Sequence, residues 1–209
     1  MEEEIGMIKR EPFEQGVFED IEIAKRYDRE ARIWMRYVSK SFVSVAKRQG
    51  ITGGKVLDVG TGTGLLAIEF ATRVPGVEVT GLDLSDVVLG LARDNVQRSE
   101  VPLRVSFEKG DAEDMPFEDD TFDLVISSNT LHLIENPIRM LDEIQRVLKP
   151  QCALLISDLR RSWLGVLSRD FRASYSPQEV KDLLSQSRLQ NWEVKDYLFW
   201  LSIFSGGNG

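Results

Sequence analysis

The run Val56-Leu57-Asp58-Val59-Gly60-Thr61-Gly62-Thr63-Gly64-Leu65-Leu66 sets a carboxylate and three alternating glycines where an apolar strand passes into a helix-forming segment. Glycine lets the chain turn sharply and lets a ligand approach the main chain with no Cβ in the way. In open α/β sheets, ligands bind at the carboxyl ends of the strands. A dinucleotide fingerprint needs glycine at its first, third and sixth positions. Counted from Gly60, the sixth position is Leu65 and the third glycine arrives early, at Gly64. That spacing argues against NAD or FAD. Two further carboxylates close apolar or turn segments, Asp83 after Val77–Leu82 and Asp111 within Gly110-Asp111-Ala112. Ser127-Ser128-Asn129 ends another apolar run, and His132, the one histidine of the chain, follows it. A free imidazole with a pKa of about 6.5 suits a general base acting on a hydroxyl. The plainer reading is a loop histidine satisfied by the backbone.

The elements that must position these groups alternate. From Ile21 to Arg48 there is neither proline nor glycine, and the pattern is helical. Trp34, Val38 and Val45 suggest its apolar stripe, with Phe42 and Tyr37 beside them, while Arg26, Arg29, Arg32, Arg36 and Lys40 share another side. The helix after Gly64 must stop at Pro75-Gly76, and the helix after Asp83 starts at Ser85, a good N-cap. Asn136-Pro137 opens the next helix. Ser176-Pro177-Gln178-Glu179 is a capping box. Trp192–Tyr197 and Phe199–Phe204 read as two tightly joined strands. Alternation of this kind predicts an α/β fold with a mostly parallel sheet and helices on both faces.

Composition narrows the classes. With 209 residues, 42% hydrophobic and 29% charged, the chain suits one soluble domain with a full core. A net charge of −8 disfavours nucleic-acid partners, which need clustered cations. One histidine and one cysteine, Cys152, cannot build an ordinary N/S zinc site, so no metal is expected. A lone cysteine in an apolar strand fits a reducing compartment. The start Met1-Glu2-Glu3-Glu4 is not that of a signal peptide. No apolar run approaches the roughly 18 residues of a membrane span. The expected location is cytoplasmic. Residues 1–18, acidic and broken by Gly6, Pro12 and Gly16, are expected to be loosely held.

Asp58-x-Gly60-x-Gly62-x-Gly64, Asp83 nineteen positions after Gly64, Gly110-Asp111-Ala112 and the two later strands together resemble the class I S-adenosylmethionine (SAM) dependent methyltransferases, most closely the quinone-biosynthesis type. The resemblance covers Lys55 to the C-terminus. It implies a Rossmann-like, seven-stranded, mostly parallel sheet with a C-terminal antiparallel hairpin strand. It divides the chain into an N-terminal helical lid, residues 1–50, and a SAM-binding core, residues 51–209. It implies that Asp58, Gly60, Thr61, Gly62 and Gly64 surround the amino-acid part of SAM, that Asp83 holds the ribose hydroxyls and Leu84 packs on the adenine, and that Asp111 and Ala112 meet the adenine edge. Ser128 and Asn129 then lie near the reactive methyl, with His132, Asn129 and Tyr27 as the candidate catalytic groups. The Asn-Pro-Pro-aromatic motif of adenine N6-methylases is missing.

The expected reaction is transfer of the SAM methyl to an O, N or C atom of a small-molecule acceptor, leaving S-adenosylhomocysteine. Arg160, Arg161, Arg169 and Arg172 suggest an anionic acceptor, and Trp163 and Phe171 suggest apolar pocket walls. An RNA or protein methyltransferase, or a SAM-binding module without catalysis, remain alternatives. Either a monomer or a homodimer fits, with the aromatic-rich Tyr197–Phe204 end as a possible contact edge.

Overall fold

The computed structural model describes residues 9–12, 19–166 and 168–205; the loosely held segment expected over 1–18 lies mostly outside them. Seven strands form one sheet: β1 (Gly53–Val59), β2 (Gly76–Asp83), β3 (Val105–Lys109), β4 (Phe122–Ser128), β5 (Leu148–Leu159), β6 (Trp192–Asp196) and β7 (Trp200–Ser205). Their spatial order is β3-β2-β1-β4-β5-β7-β6. The first five run parallel, and β7 is antiparallel to both neighbours. Around the sheet lie α1 (Ile21–Arg48), α2 (Leu65–Arg73), α3 (Asp86–Gln97), α4 (Pro137–Val147), α5 (Arg169–Ala173) and α6 (Pro177–Gln186).

Alternation along the central strands splits the core into two layers. Val56, Leu124, Ile126 and Leu155 face α1 and α2 through Phe70, Met35 and Phe42. Leu57, Val125, Leu154 and Ile156 face α4 and α6 through Ile144 and Val180. Strands buried on both faces are what helical crossovers produce. The helix starts follow the sequence signals. The Asp20 carboxylate accepts from two amides of the first turn of α1, Ser85 caps α3 and Asn136 caps α4. Ser176 and Glu179 complete the capping box of α6.

The buried side of α1 differs from the expected stripe. It is Ala24, Ala31, Met35, Phe42, Val43 and Ala46, while Trp34 and Tyr37 are exposed. Of the expected stripe, Phe42 is buried and Val38 and Val45 pack half-buried against the core, whereas Trp34 and Tyr37 lie outside it. The helix makes most of its contacts with α2 and fewer with α3.

The core layers give a direct test. Leu154 is fully buried and Leu103 almost fully exposed. Leu154→Ala should cost about 2–5 kcal/mol, whereas Leu103→Ala should stay within about 0.5 kcal/mol of the parent. Equilibrium urea unfolding with coincident fluorescence and circular dichroism transitions measures both.

Candidate active site

The turn from β1 into α2 is built on left-handed backbone. Gly60, Gly62 and Gly64 have φ of 68°, 54° and 76°. The three glycines are not equivalent. A Cβ on Gly60 would collide with the Thr130 side chain, and one on Gly64 with Phe107 and Ala92. A Cβ on Gly62 would meet nothing within 4 Å. Gly60 and Gly64 therefore serve the packing of the turn, and Gly62 keeps open space above it.

Two carboxylates hold this turn. Asp58, 1% exposed, accepts a hydrogen bond from Thr61 Oγ1 at 2.7 Å and another from the Ala67 amide at the start of α2. Burial pushes its carboxyl up to about 7 against the opposing pull of those bonds. Asp83, at the end of β2, accepts from the Gly62 amide at 2.8 Å and the Ser85 amide at 3.0 Å. Burial raises its pKa as well, with the Ser85, Gly62 and Leu84 amides working the other way. A carboxylate has about four acceptor sites; Asp83 meets three amides, so one site remains for a ligand.

The end of β4 lies across the crevice. Asn129 is non-glycine at φ 56°, and its amide donates to Ser157 O at 2.9 Å. Its Oδ1 is buried and has no hydrogen-bond partner among the described residues. Left-handed backbone at such a residue costs of order 1–3 kcal/mol and clusters at functional sites. An orphaned buried acceptor beside it needs a donor from outside the chain.

His132 follows on a short 3-10 turn (Leu131–Leu133) and is 4% exposed. Its Nδ1 lies 2.6 Å from Oδ1 of Asp158 on β5, and its backbone amide donates to Oδ2 of the same carboxylate at 3.2 Å. Asp158 is 2% exposed. Burial opposes protonation of the imidazole, but the charge and hydrogen bond of Asp158 outweigh it and raise the pKa above the usual histidine value. Hydrogen bonding at Nδ1 fixes the ring and directs Nε2 chemistry.

A cavity of about 880 Å³ joins these parts. It takes in Asp58, Gly60, Thr61, Gly62, Asp83, Leu84, Asp111, Ala112, Ser128, Asn129, His132 and Tyr27. Of the residues expected at the site, only Gly64 stands outside its lining, as the left-handed N-cap of α2. Burial, then the charges of Asp170, Asp83, Asp58 and Asp28, pushes the Tyr27 phenol up to about 12. Tyr27 therefore stays protonated and can donate a hydrogen bond but not act as a base. Asp111 is exposed, and its Oδ1 accepts from the Glu113 amide at 2.8 Å. Among the described residues there is no group of three metal-ligating side chains.

Three expectations for the acceptor side fail. Arg161 is buried and paired with Glu179 at 2.8 Å. Arg172 is tied to Gly165 O and Glu11, and Arg160 donates to Tyr197 O. Trp163 is exposed and Phe171 packs edge-on against Phe199, so neither lines the cavity. The cavity instead draws on Arg10, Asp170 and Asp158-bound His132. Arg10 stacks on Tyr175 at 3.9 Å and donates to Ala173 O at 2.7 Å and His132 O at 3.4 Å. Asp158 had a readable signal, an acid at the carboxyl end of an apolar strand; Arg10 had none.

Residues 52–196 match the family model described as a methyltransferase domain. The chain belongs to this family. It is 35% identical over 131 residues to the ubiquinone/menaquinone biosynthesis C-methyltransferase of Geotalea daltonii, covering 61% of this chain and 56% of that one. It is 36% identical over 125 residues to the malonyl-[acyl-carrier protein] O-methyltransferase of Geobacter sulfurreducens, covering 60% and 45%. The matched region thus spans about half the length of these curated relatives. Among solved structures, a SAM-dependent methyltransferase from Aquifex aeolicus superposes with a TM-score of 0.71 at 24% identity, over 88% of this chain and 97% of that one. The fold is that of the class I SAM-dependent methyltransferases.

Because His132 is the one histidine of this chain, its imidazole can be titrated by NMR without assignment. The expected midpoint lies above that of a free imidazole, and Asp158→Asn should lower it, since burial and Arg10 are then opposed by the charge of Asp170 alone. An unchanged midpoint in the variant would show that the pair does not set the imidazole's charge.

Proposed function

We propose that this chain transfers the methyl group of SAM to a small-molecule acceptor. The observation that carries the reading is the single cavity with two chemically distinct ends. One end gathers the glycine turn and Asp83; the other holds His132 locked on Asp158. The residues present fit the cofactor. Gly62 leaves room above its Cα for a ligand pressed on the turn, and Asn129 Oδ1 offers an unclaimed acceptor to an ammonium group.

When bound, SAM supplies an electrophilic methyl on a cationic sulfonium. In this reading Asp58 orders the turn through Thr61 and the start of α2. Asp83 accepts from the ribose hydroxyls, and charge-assisted bonds of this kind are the strong ones. Leu84, 45% exposed without a ligand, gives the adenine an apolar surface. Asp111 and Ala112 meet its edge. Ser128 and Asn129 flank the amino-acid end. The acceptor enters beneath α1 and the segment of residues 9–12, which act as the lid over residues 51–209. Tyr27 donates a hydrogen bond to it. His132 Nε2 would take the proton that the acceptor loses, while SAM, when bound, would supply the methyl group and leave as S-adenosylhomocysteine. Orientation can supply about 7–11 kcal/mol of such a barrier. The general base adds roughly 10²–10⁴-fold.

The relatives' names favour a quinone-type ring as acceptor, methylated at carbon, and a base beside the acceptor suits deprotonation of a ring hydroxyl. The O-methyltransferase relative at almost the same identity supports hydroxyl oxygen as the alternative atom.

Calorimetric titration with SAM and S-adenosylhomocysteine is the test. Both should bind saturably, and Asp83→Ala should weaken them about 10–100-fold. Gly62→Ala should abolish binding while the protein stays folded. A folded protein that binds neither nucleoside would overturn the reading.

Binding should also depend on pH. A cationic ligand prefers ionised Asp58, whose carboxyl sits at about 7 in the free protein. Affinity should therefore be flat above pH 8 and fall about tenfold by pH 6. Asp58→Asn should remove that slope.

A further inference from the structure

The exposed side of α1 takes no part in the site. The helix carries eight Lys and Arg against three Asp and Glu, whereas the rest of the chain carries eighteen against thirty-one. A helix of net +5 therefore rides on a remainder of net −13. Arg26, Arg29, Arg36 and Lys40 lie along its outer side, all exposed. No carboxylate of the described residues pairs with them; Lys40 rests 5.4 Å from the centre of the Tyr37 ring. By contrast Arg32 is bound to Asp28 and Asn95, and belongs to the fold.

Beside these cations stand apolar side chains that the fold leaves in water. Ile33 is 71% exposed and Tyr37 65%, and the β6–β7 turn adds Tyr197 and Leu198 at 52% and 69%. Between the two elements runs a groove of about 250 Å³ with Trp34 and Trp200 at 4.8 Å on its walls. Isolated apolar residues on a surface are ordinary, but a contiguous patch marks an interaction site. A soluble polyanion would be met by the cations alone. Cations interleaved with tryptophan, tyrosine and isoleucine on one helix side fit a plane that is charged at its surface and apolar just beneath.

We propose that the outer side of α1, with the β6–β7 turn, docks the protein on an anionic lipid surface. The charge on the two parts of the molecule orients the encounter. The acidic remainder is repelled, so α1 leads. The inner side of the same helix supplies Tyr27, Ala31 and Met35 to the cavity. Docking thus brings the acceptor end of the cavity next to the lipid boundary, where a poorly water-soluble acceptor would be held. No helix among the described residues is long and apolar enough to cross a membrane, so the association is peripheral. This inference stands apart from the transfer chemistry and does not need it.

Vesicle co-sedimentation of the full chain tests it. The protein should pellet with vesicles of phosphatidylglycerol mixed into phosphatidylcholine, and not with phosphatidylcholine alone. Raised salt should release it. The triple variant Arg29→Glu, Arg36→Glu, Lys40→Glu should lose at least about tenfold in vesicle binding. Ile33→Ser with Tyr37→Ser should also lose vesicle binding, yet keep whatever affinity the parent has for heparin, a polyanion with no apolar layer. An unchanged circular dichroism spectrum and urea midpoint in both variants report that the fold is intact. Failure of the parent to bind the anionic vesicles would overturn the proposal. So would an Ile33/Tyr37 variant that binds them as well as the parent, which would reduce the surface to a general polyanion site.

Discussion

Everything at the carboxyl edge depends on one tie: the Asp83 carboxylate accepting from the Gly62 amide across the gap between two neighbouring strand ends. Left-handed backbone at three alternate positions is not self-supporting. Gly60 and Thr61 are fixed by donating to Leu82 O, one residue before Asp83. Asp58 fixes the far side of the turn through Thr61 and α2. The turn is therefore stretched between β1, β2 and α2, and its middle glycine faces the cavity with nothing over it. The same groups that a ligand would use already hold the backbone in place, so the site is formed before a ligand arrives.

That edge also explains why four separate stretches of sequence act together. The spatial order places β1 between β2 and β4, and β5 beside β4. The chain runs from β1 to β2 and β3 on one side, then returns from β3 to β4 on the other side of β1, and a crevice opens where the order reverses. Asp83 borders it on one side and Asn129 on the other. The His132–Asp158 contact spans 26 residues of sequence but only adjacent strand ends.

The sequence disclosed the glycine-turn end of the cavity well and the surroundings of His132 poorly. Glycine spacing, Asp58, Asp83 and the capping residues are local signals, each fixed by the backbone geometry of one turn. The partner of His132 is a tertiary fact: Asp158 reads only as an acid in a strand until β4 and β5 are paired. Arg10 is less legible still, because its stacking on Tyr175 links segments 165 residues apart. The arginines after β5 misled for the opposite reason. Charge in a loop looks available, yet Arg161 is consumed by Glu179 and the Ser174 carbonyl. On α1, bulk was mistaken for burial. Alanines 24, 31 and 46 are buried beside Met35 and Phe42, and Trp34 is left for the groove.

Among the described residues the cavity lining holds six carboxyl groups, Asp58, Asp83, Asp111, Glu113, Glu135 and Asp170, against one guanidinium, Arg10. A field of that sign treats the two sulfur nucleosides unequally. In the proposed reaction it would favour a sulfonium and lose part of its hold once the sulfur became a neutral thioether. Methyl transfer would thus weaken the attraction that brought the cofactor in, and the spent nucleoside would leave a site that attracts it less.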